Sequence, residues 1–315
     1  MNRKSLIISL KGTTLSRDES SLIFNEKPWG VILFKRNIKS IKQLVELTTK
    51  IRKLLRDPCY PILVDEEGGR VSRFSRIFDT SGFSQRYFGK FFENDKFIGE
   101  NLYKEYLNSI CNILNKTGVN INTIPVLDVI HKKAHKIIGN RSYSNHLKTI
   151  ISLGNICIDF LRSKKIGSVS KHIPGHGYSS FDTHHKKSVV NYSLEKLLNK
   201  DFSTFKNNKS NFVMTAHIIY KKIDPTNPAT HSKILIDRII RKKLNFKGLI
   251  ISDDISMKAL GKNIIVNAHK AIRSGCNLAL YCGGNIKESS VLLKNMKKID
   301  SFTTKKTSQF YKFLR

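Results

Sequence analysis

The sequence lacks three features that would indicate a secreted, disulfide-bonded or membrane protein. Its five cysteines form no CxxC pair and are odd in number, which argues against a disulfide framework. No apolar run approaches the roughly 20 residues that span a membrane. The apolar run near the N-terminus ends at Lys11, too short for a secretory signal. We therefore predict reduced thiols, no membrane insertion and a cytoplasmic location.

Acidic residues are scarce, since 24 Asp and Glu stand against 56 Lys and Arg, a formal charge of +32. Such a balance is typical of nucleic-acid-binding proteins. The basic residues are nevertheless spread singly or in pairs, as at Lys39, Lys42, Lys50 and Lys53, and no basic stretch is interleaved with aromatic residues. We interpret the charge as a lysine-rich solvated surface, typical of AT-rich genomes, and predict no specific nucleic-acid partner. A polyanion-binding protein without catalysis is the non-enzymatic alternative.

Short β-branched apolar runs alternate with longer segments of helical periodicity. The runs are nearly continuously apolar, as in strands buried on both faces of a parallel sheet. About eight β/α units in 315 residues predict an α/β protein with a single-domain (β/α)8 TIM-type barrel over residues 1–300. A doubly wound open sheet is disfavoured because no glycine-rich fingerprint follows the first strand. The predicted strands are 5–10, 30–34, 61–64, 119–124, 167–170, 211–216, 248–252 and 277–281, and the predicted helices are 38–56, 97–117, 146–164, 195–207, 232–244, 262–274 and 286–298.

Residues 301–315 are polar and basic, and a loosely ordered tail is predicted there. No linker, low-complexity tract or internal repeat divides the preceding residues, which favours one domain.

Residues with catalytic potential come directly after the predicted strands. Asp65 follows the third strand, Lys171 and His172 the fifth, His217 the sixth and Asp253 the seventh. Active sites of (β/α)8 barrels are built at the carboxyl ends of the strands. This placement therefore also favours a barrel.

The segment 64–74, VDEEGGRVSRF, contains three acids, two glycines and two arginines directly after a strand. Adjacent glycines allow a close backbone turn, while acids and arginines can bind the hydroxyl groups of a polar ligand as acceptors and donors. A solvated Gly-Gly turn is the structural alternative for this segment alone.

The segment 171–177, KHIPGHG, is followed by Asp182, Thr183 and His184. His172 and His176 have the spacing of helical zinc ligands, but the proline and glycines around them forbid a helix, so no metal site is predicted. In an extended loop, Asp182 and His184 lie on the same side, where the carboxylate can orient the imidazole as a proton donor and acceptor. A merely solvated pair is the alternative.

The segment 248–257, GLIISDDISM, brings two acids to the end of a buried strand. An acid in such a position is rare unless it is paired or used, which makes Asp253 a candidate nucleophile or metal ligand. Asp254 is the competing candidate. Because neighbouring residues of a strand face opposite sides, only one of the two should enter the site.

Taken together, these segments resemble glycoside hydrolase family 3, and within it the bacterial β-N-acetylhexosaminidases of peptidoglycan recycling. Any single segment is weak evidence for this family, but the joint occurrence of the segments in this order is specific to it. The resemblance covers nearly the whole chain, through GVILFKRN (30–37), LVDEEGGRVSRF, PVLDV (125–129), IIGNRSYS (137–144), KHIPGHG, DTHH, MTAHIIY (214–220), PATHS (228–232) and ISDDISMKAL.

The resemblance implies a retaining β-N-acetylglucosaminidase with Asp253 as nucleophile and His184, backed by Asp182, as acid/base. It implies a small carbohydrate or muropeptide substrate and no metal or organic cofactor. We also predict a monomer. The implied sugar-binding residues are Asp65, Arg73, Arg141, Lys171 and His172, with His217 as a further contact.

The sequence departs from the family pattern at three positions. Glu66 stands where relatives often carry Gln, Thr183 where they carry Ser, and His185 adds an imidazole that competes with His184 as the acid/base. A broader family-3 β-glycosidase is one functional alternative. An N-acetylglucosamine phosphorylase, in which phosphate replaces water, is another.

Overall fold

A computed structural model describes residues 2–131, 138–179 and 188–315. Eight parallel strands close into a barrel in the order β1-β10-β9-β7-β5-β4-β3-β2, and a separate two-stranded parallel sheet pairs β6 with β8. The predicted barrel is confirmed, and each of the eight predicted strands overlaps a barrel strand. The strands are β1 Lys4–Ser9, β2 Pro28–Leu33, β3 Ile62–Val64, β4 Ile121–Asn122, β5 Gly167–Ile173, β6 Ser188–Val190, β7 Phe212–Thr215, β8 Ile218–Tyr220, β9 Leu249–Asp254 and β10 Leu278–Leu280.

The barrel strands bury side chains on both faces. Ile7 and Leu63 belong to an apolar cluster to which all eight strands contribute, and we take this cluster to fill the barrel. The neighbouring residues Leu6 and Val64 point the other way, into a larger cluster shared with the surrounding helices. This two-sided burial explains why the strands are almost continuously apolar in sequence.

Helices surround the barrel, and all seven predicted helical segments contain helical structure. The segment 195–207 is divided into a short α-helix and a 3-10 turn over Asp201–Phe205, and the segment 232–244 forms a helix with π-type hydrogen bonds over Ile234–Lys243. The α-helices of the described residues are α1 Arg17–Glu26, α2 Ile41–Leu55, α3 Gln85–Asn94, α4 Lys96–Thr117, α5 Leu147–Ser163, α6 Leu194–Leu198, α7 Ile264–Ser274, α8 Ile286–Asn295 and α9 Ser301–Leu314. Helices α1 and α3 were not predicted.

The prediction of a loosely ordered tail at 301–315 is wrong. Helix α9 begins after the N-cap Asp300, and Thr303, Thr307 and Phe310 form its buried face. Thr307 Oγ1 accepts a hydrogen bond of 2.9 Å from the indole of the buried Trp29. Because two of these three residues are threonines, the buried face carries little hydrophobic signal, and the lysines on the rest of the helix dominate the composition.

The carboxyl ends of the strands meet on one side of the barrel, as the fold requires. Asp65 directly follows β3, Lys171 and His172 lie near the end of β5, and Asp253 and Asp254 are the last two residues of β9. Across the described ranges, no helix combines the length and hydropathy needed to cross a membrane.

Candidate active site

A cavity of about 390 Å³ opens at the carboxyl ends of the barrel strands. Six of the residues predicted from the sequence line it together: Asp65, Arg73, Arg141, Lys171, His172 and Asp253. Thr123, Arg70, Asp254 and Cys282 add further polar lining, and the apolar lining consists of Ile32, Phe34, Val71, Met214, Met257 and Leu280.

Asp65 lies between two cations at one side of this cavity. Arg73 Nη2 donates to Asp65 Oδ2 at 2.6 Å, Thr123 Oγ1 donates to Oδ1 at 2.5 Å, and the Lys171 ammonium also donates to Oδ1. Burial would raise the pKa of Asp65, but the charges of Lys171 and Arg73 outweigh burial and hold this pKa well below its usual range. Asp65 is therefore an ionised acceptor at neutral pH.

Glu67 is a second buried carboxylate, two residues further along the chain. Arg141 makes a bidentate contact with it, with Nε and Nη2 at 2.7 and 2.8 Å from the two carboxylate oxygens. Lys171 Nζ lies 2.6 Å from Glu67 Oε1. Burial would raise the pKa of Glu67, but Arg141 and Lys171 lower it. Burial likewise acts to lower the pKa of Arg141, and Glu67 raises it above its ordinary value. Glu67 thus pairs with both Arg141 and Lys171 at the cavity wall.

His172 is held by a third buried carboxylate, Asp128. The imidazole Nδ1 lies 2.7 Å from Asp128 Oδ2, and the backbone N–H groups of His172 and His176 also donate to this carboxylate. Arg141 Nη2 lies 3.4 Å from His172 Nε2 on the other side of the ring. The KHIPGHG segment is therefore anchored by Asp128, which follows β4 in the chain, and this contact orients the ring that faces the cavity.

Glu66 organises the loop that carries Arg73. Its carboxylate accepts hydrogen bonds from the backbone N–H groups of Arg73 and Phe74, at 2.6 and 3.0 Å, and from the hydroxyls of Ser72 and Thr80, at 3.2 and 2.9 Å. Burial raises the pKa of Glu66, and these hydrogen bonds oppose that effect. Glu66 thus has a structural position behind the loop.

The glycines of this loop are required by its geometry. Gly68 has φ of +80°, and a Cβ there would lie 2.2 Å from the carbonyl oxygen of Phe83. Gly69 has φ of +59°, and a Cβ at this position would lie 2.8 Å from Ser84 Cβ. The sequence-based assignment of a close turn at this pair fits both positions.

Asp253 and Asp254 have different surroundings at the end of β9. The Asp254 carboxylate accepts hydrogen bonds from the Ser256 backbone and hydroxyl, at 3.1 and 2.6 Å, and from the Cys282 backbone at 3.1 Å. Burial raises the pKa of Asp254, and hydrogen bonds from Ser256 and Cys282 act against it. Asp254 therefore stabilises the turn after β9. Asp253 also lines the cavity, and its carboxylate accepts a hydrogen bond of 2.8 Å from the backbone N–H of Asp254.

His217 is 2% exposed and lies outside the set of cavity-lining residues. Its Nε2 donates to the backbone carbonyl of Asp254 at 3.0 Å, and its Nδ1 lies 2.7 Å from Thr230 Oγ1. Burial lowers the pKa of His217, and the charge of Asp253 opposes that effect. The ring thus braces the strand end that carries Asp253, and its predicted contact with the sugar stays a prediction.

Asp182, Thr183, His184 and His185 lie outside the described residues. The predicted acid/base pair of Asp182 and His184 therefore stays a prediction, and so does the choice between His184 and His185. Within the described part of the chain, no group of three or more His, Cys, Asp or Glu residues is arranged to hold a metal ion.

Sequence reasoning missed Glu67 and Asp128 as site residues. Glu67 stands two positions after Asp65, so in extended backbone it faces the same side. Asp128 is the lone acid of the apolar segment 124–130. A carboxylate is rare in such a segment unless it is paired. Both signals were present, but the partners of these acids are distant in sequence.

The arrangement suits a ligand rich in hydroxyl groups. Ionised Asp65 offers acceptors, Arg73, Arg141 and Lys171 offer donors, and Phe34, Val71 and Met257 offer an apolar wall. Asp253 is a carboxylate that can attack an electrophilic carbon within the same cavity. Fold and site together define a barrel enzyme of the carbohydrate-processing type.

Comparison with known proteins identifies the family. Residues 5–308 match the Glycosyl hydrolase family 3 N terminal domain, so the chain belongs to this family and is a glycoside hydrolase. A β-hexosaminidase of Haemophilus influenzae is 34% identical over 302 residues, covering 93% of this chain and 83% of the relative. A β-hexosaminidase of Hydrogenovibrio crunogenus is 34% identical over 292 residues, covering 91% and 81%. These findings confirm the family resemblance and the enzyme class.

A solved structure shows the same fold. NagZ from Neisseria gonorrhoeae, in complex with N-trifluoroacetyl-D-glucosamine, superposes with a TM-score of 0.87 at 27% identity, covering 100% of this chain and 90% of that one. The similarity extends over the whole barrel and includes the C-terminal helix region.

Proposed function

We propose that this protein is a retaining β-N-acetylglucosaminidase that removes terminal, non-reducing N-acetylglucosamine, with Asp253 as the nucleophile. The observation that carries the proposal is the position of Asp253 at the end of β9, in the same cavity as five of the predicted sugar-binding residues. Asp65, Arg73, Arg141, Lys171 and His172 line this cavity together with Asp253. Asp254 lines it too, but its carboxylate is engaged by Ser256 and Cys282 in the turn after β9.

The choice of sugar is supported by the relatives. The two relatives named above are β-hexosaminidases, and the NagZ structure holds an N-acylated glucosamine derivative. The cavity has the polar and apolar parts that such a ligand needs. Its charged groups can bind the ring hydroxyls, and its apolar wall can contact the sugar ring or the methyl group of the acetamide.

The proposed reaction is a double displacement. Asp253 attacks the anomeric carbon as the glycosidic bond breaks, and His184, oriented by Asp182, protonates the leaving oxygen. His184 then removes a proton from water, which attacks the same carbon and releases the sugar and Asp253. This use of a histidine departs from the usual pair of carboxylates in glycosidases.

The test is release of 4-nitrophenol from its N-acetyl-β-glucosaminide and from its β-glucoside, by the native protein and by Asp253→Ala. We expect release from the N-acetylated sugar alone and its loss in the variant. Equal release from both sugars would support a broader β-glycosidase. Formation of a sugar 1-phosphate in phosphate buffer would show that the reaction is phosphorolysis and not hydrolysis. No release of 4-nitrophenol by a folded native protein would overturn the proposal.

We further propose that the natural substrate is an N-acetylglucosaminyl-anhydromuramoyl peptide, acted on in the cytoplasm by a monomer. This rests on the resemblance to the peptidoglycan-recycling branch of the family. Cleavage of that muropeptide with kcat/KM no better than for chitobiose would contradict the substrate. Sedimentation as a dimer would contradict the monomer, and recovery of the native protein outside the cytoplasm would contradict the location.

A further inference from the structure

Asp128 is a buried carboxylate that the reaction proposed above does not use. It is 0% exposed and accepts hydrogen bonds from His172 Nδ1 at 2.7 Å and from the backbone of His176 at 2.7 Å. Burial would raise the pKa of Asp128, but His172 and the His176 backbone lower it. An ionised carboxylate only accepts hydrogen bonds, so the proton of the His172–Asp128 contact lies on Nδ1.

A second neighbour selects the same form of the ring. Arg141 Nη2 lies 3.4 Å from His172 Nε2, and a guanidinium only donates. A lone pair on Nε2 suits this contact, whereas a proton there would face an N–H of the guanidinium. Asp128 and Arg141 touch different nitrogens, and each is compatible with the same neutral tautomer.

We propose that Asp128 is a positioning residue that fixes His172 in the Nδ1-protonated tautomer, so that Nε2 accepts a hydrogen bond from a hydroxyl group of the bound sugar. The inference rests on the proposed function, since it takes the cavity to be the sugar site. The 3.4 Å contact with Arg141 is long for a hydrogen bond, so a hydroxyl can replace it.

A histidine held in this way accepts, whereas the neighbouring cations Lys171 and Arg141 donate. The site then demands one sugar hydroxyl that donates to His172, and a group that only accepts cannot satisfy that position.

The tautomer is measured directly by nitrogen-15 NMR on protein labelled at histidine, without any substrate. Substitution of His172 by Gln identifies its signals. We expect a protonated Nδ1 and an unprotonated Nε2 near neutral pH. In Asp128→Asn the amide NH₂ faces Nδ1 and donates to it, so the proton should move to Nε2. A native His172 that is protonated on Nε2, or a tautomer unchanged in Asp128→Asn, would overturn the proposal.

The consequence for the sugar is measured with 4-nitrophenyl N-acetyl-β-glucosaminides that carry fluorine in place of the hydroxyl at C3, C4 or C6. Fluorine cannot donate a hydrogen bond. We expect kcat/KM to fall about 10-fold to 100-fold more at one position than at the other two, because a buried acceptor is left without a partner. In Asp128→Asn, His172 Nε2 carries the proton and donates, so the additional loss of kcat/KM at that one position should shrink by about tenfold.

A matched control is Asp201→Asn. Asp201 is also buried and lies 2.7 Å from a histidine, His131 Nε2, which lies outside the set of cavity-lining residues. This variant should leave the His172 tautomer unchanged. It should also leave unchanged the ratio of kcat/KM for the fluorinated substrate to kcat/KM for the parent substrate. A ratio altered as much as in Asp128→Asn would show a general effect of losing a buried charge and would overturn the proposal.

Failure of the proposed function gives a different result. Lack of turnover by native protein with every N-acetylglucosaminide refutes that function, and titration with N-acetylglucosamine then tests His172 by the shift of its Nε2 signal. Saturation of the cavity without such a shift would overturn the present inference. If Asp128→Asn does not fold, the native tautomer and the native fluorine pattern still test it.

Discussion

The Arg141 guanidinium makes two parallel hydrogen bonds, of 2.7 and 2.8 Å, to the carboxylate of Glu67. The same carboxylate lies 2.6 Å from Lys171 Nζ. One buried acid thus balances two cations that line the cavity, although it is not itself among the lining residues.

Glu67→Gln should therefore destabilise the protein and weaken its action on the sugar. Removing one partner of a buried ion pair leaves uncompensated charge and typically lowers the free energy of unfolding by about 3–5 kcal/mol. Urea unfolding and kcat/KM on the N-acetylated sugar measure the two effects. The matched control is Glu100→Gln, because Glu100 pairs with Lys104 at 2.6 Å on an exposed helix face, where about 0.5 kcal/mol is expected. Equal effects of the two variants would contradict this account.

Glu66→Gln should change the pH dependence of stability. Burial raises the pKa of Glu66 in the folded state, so the folded state binds this proton more tightly than the unfolded chain does. The native protein then loses stability as pH rises from the ordinary carboxyl pKa through the raised value, and the variant lacks this loss. The stability of the variant relative to the native protein should therefore be greater at about pH 8 than at about pH 4. If the difference in unfolding free energy between variant and native protein stays constant or falls as pH rises, burial does not dominate the pKa of Glu66.

Gly68→Ala should disturb the loop that carries Arg73. Gly68 has φ of +80°, and the added Cβ would lie 2.2 Å from the carbonyl oxygen of Phe83. We expect a loss of about 2 kcal/mol or more in unfolding free energy, together with a raised KM. Gly82→Ala is the control, since a Cβ there has nothing within 4 Å. Its effect should stay within about 1 kcal/mol, and a loss as large as that of Gly68→Ala would show that the clash is not the cause.

Phe310→Ala should show that the C-terminal helix is part of the folded core. Phe310 is 3% exposed and its ring packs edge-on against Phe212, with centroids 5.1 Å apart. Truncating a buried Phe typically lowers the unfolding free energy by about 3–5 kcal/mol. Phe302 lies on the same helix but is 41% exposed, so Phe302→Ala should lower it by about 1 kcal/mol or less. Thermal unfolding of both variants measures these two losses. Similar melting temperatures of the two variants would favour a loosely ordered tail at 301–315.

The barrel was predictable because its strands are buried on both faces, which makes each a short continuous apolar run. Helix α9 was not, since its buried face consists of Thr303, Thr307 and Phe310. Helix α1 was missed for a similar reason, because only Glu19 and Ile23 are buried along it. A sequence pattern detects burial only when the buried residues are apolar.

Four of the predicted residues in the cavity, Asp65, Lys171, His172 and Asp253, lie at strand ends, where a polar or charged residue leaves a direct signal in the sequence. Arg73 and Arg141 were predicted from the family resemblance. The residues that orient these side chains leave no such signal. Glu67 reaches Arg141 across 74 positions of the chain, and Asp128 reaches His172 across 44. Such pairings follow from the closure of the barrel and cannot be obtained from local spacing. The hydrogen bonds to Asp254 likewise depend on Cys282, which follows β10.

Trapping of the covalent bond between Asp253 and the sugar tests the proposed reaction most directly. The native protein would be incubated with 2-acetamido-2-deoxy-5-fluoro-β-D-glucopyranosyl fluoride, digested, and its labelled peptide mapped by mass spectrometry. We expect the sugar on Asp253, no adduct in Asp253→Asn, and an adduct retained in Asp254→Asn, which keeps the acceptor for Ser256 and Cys282. An adduct on another residue, or turnover to the inverted sugar without any adduct, would contradict the account.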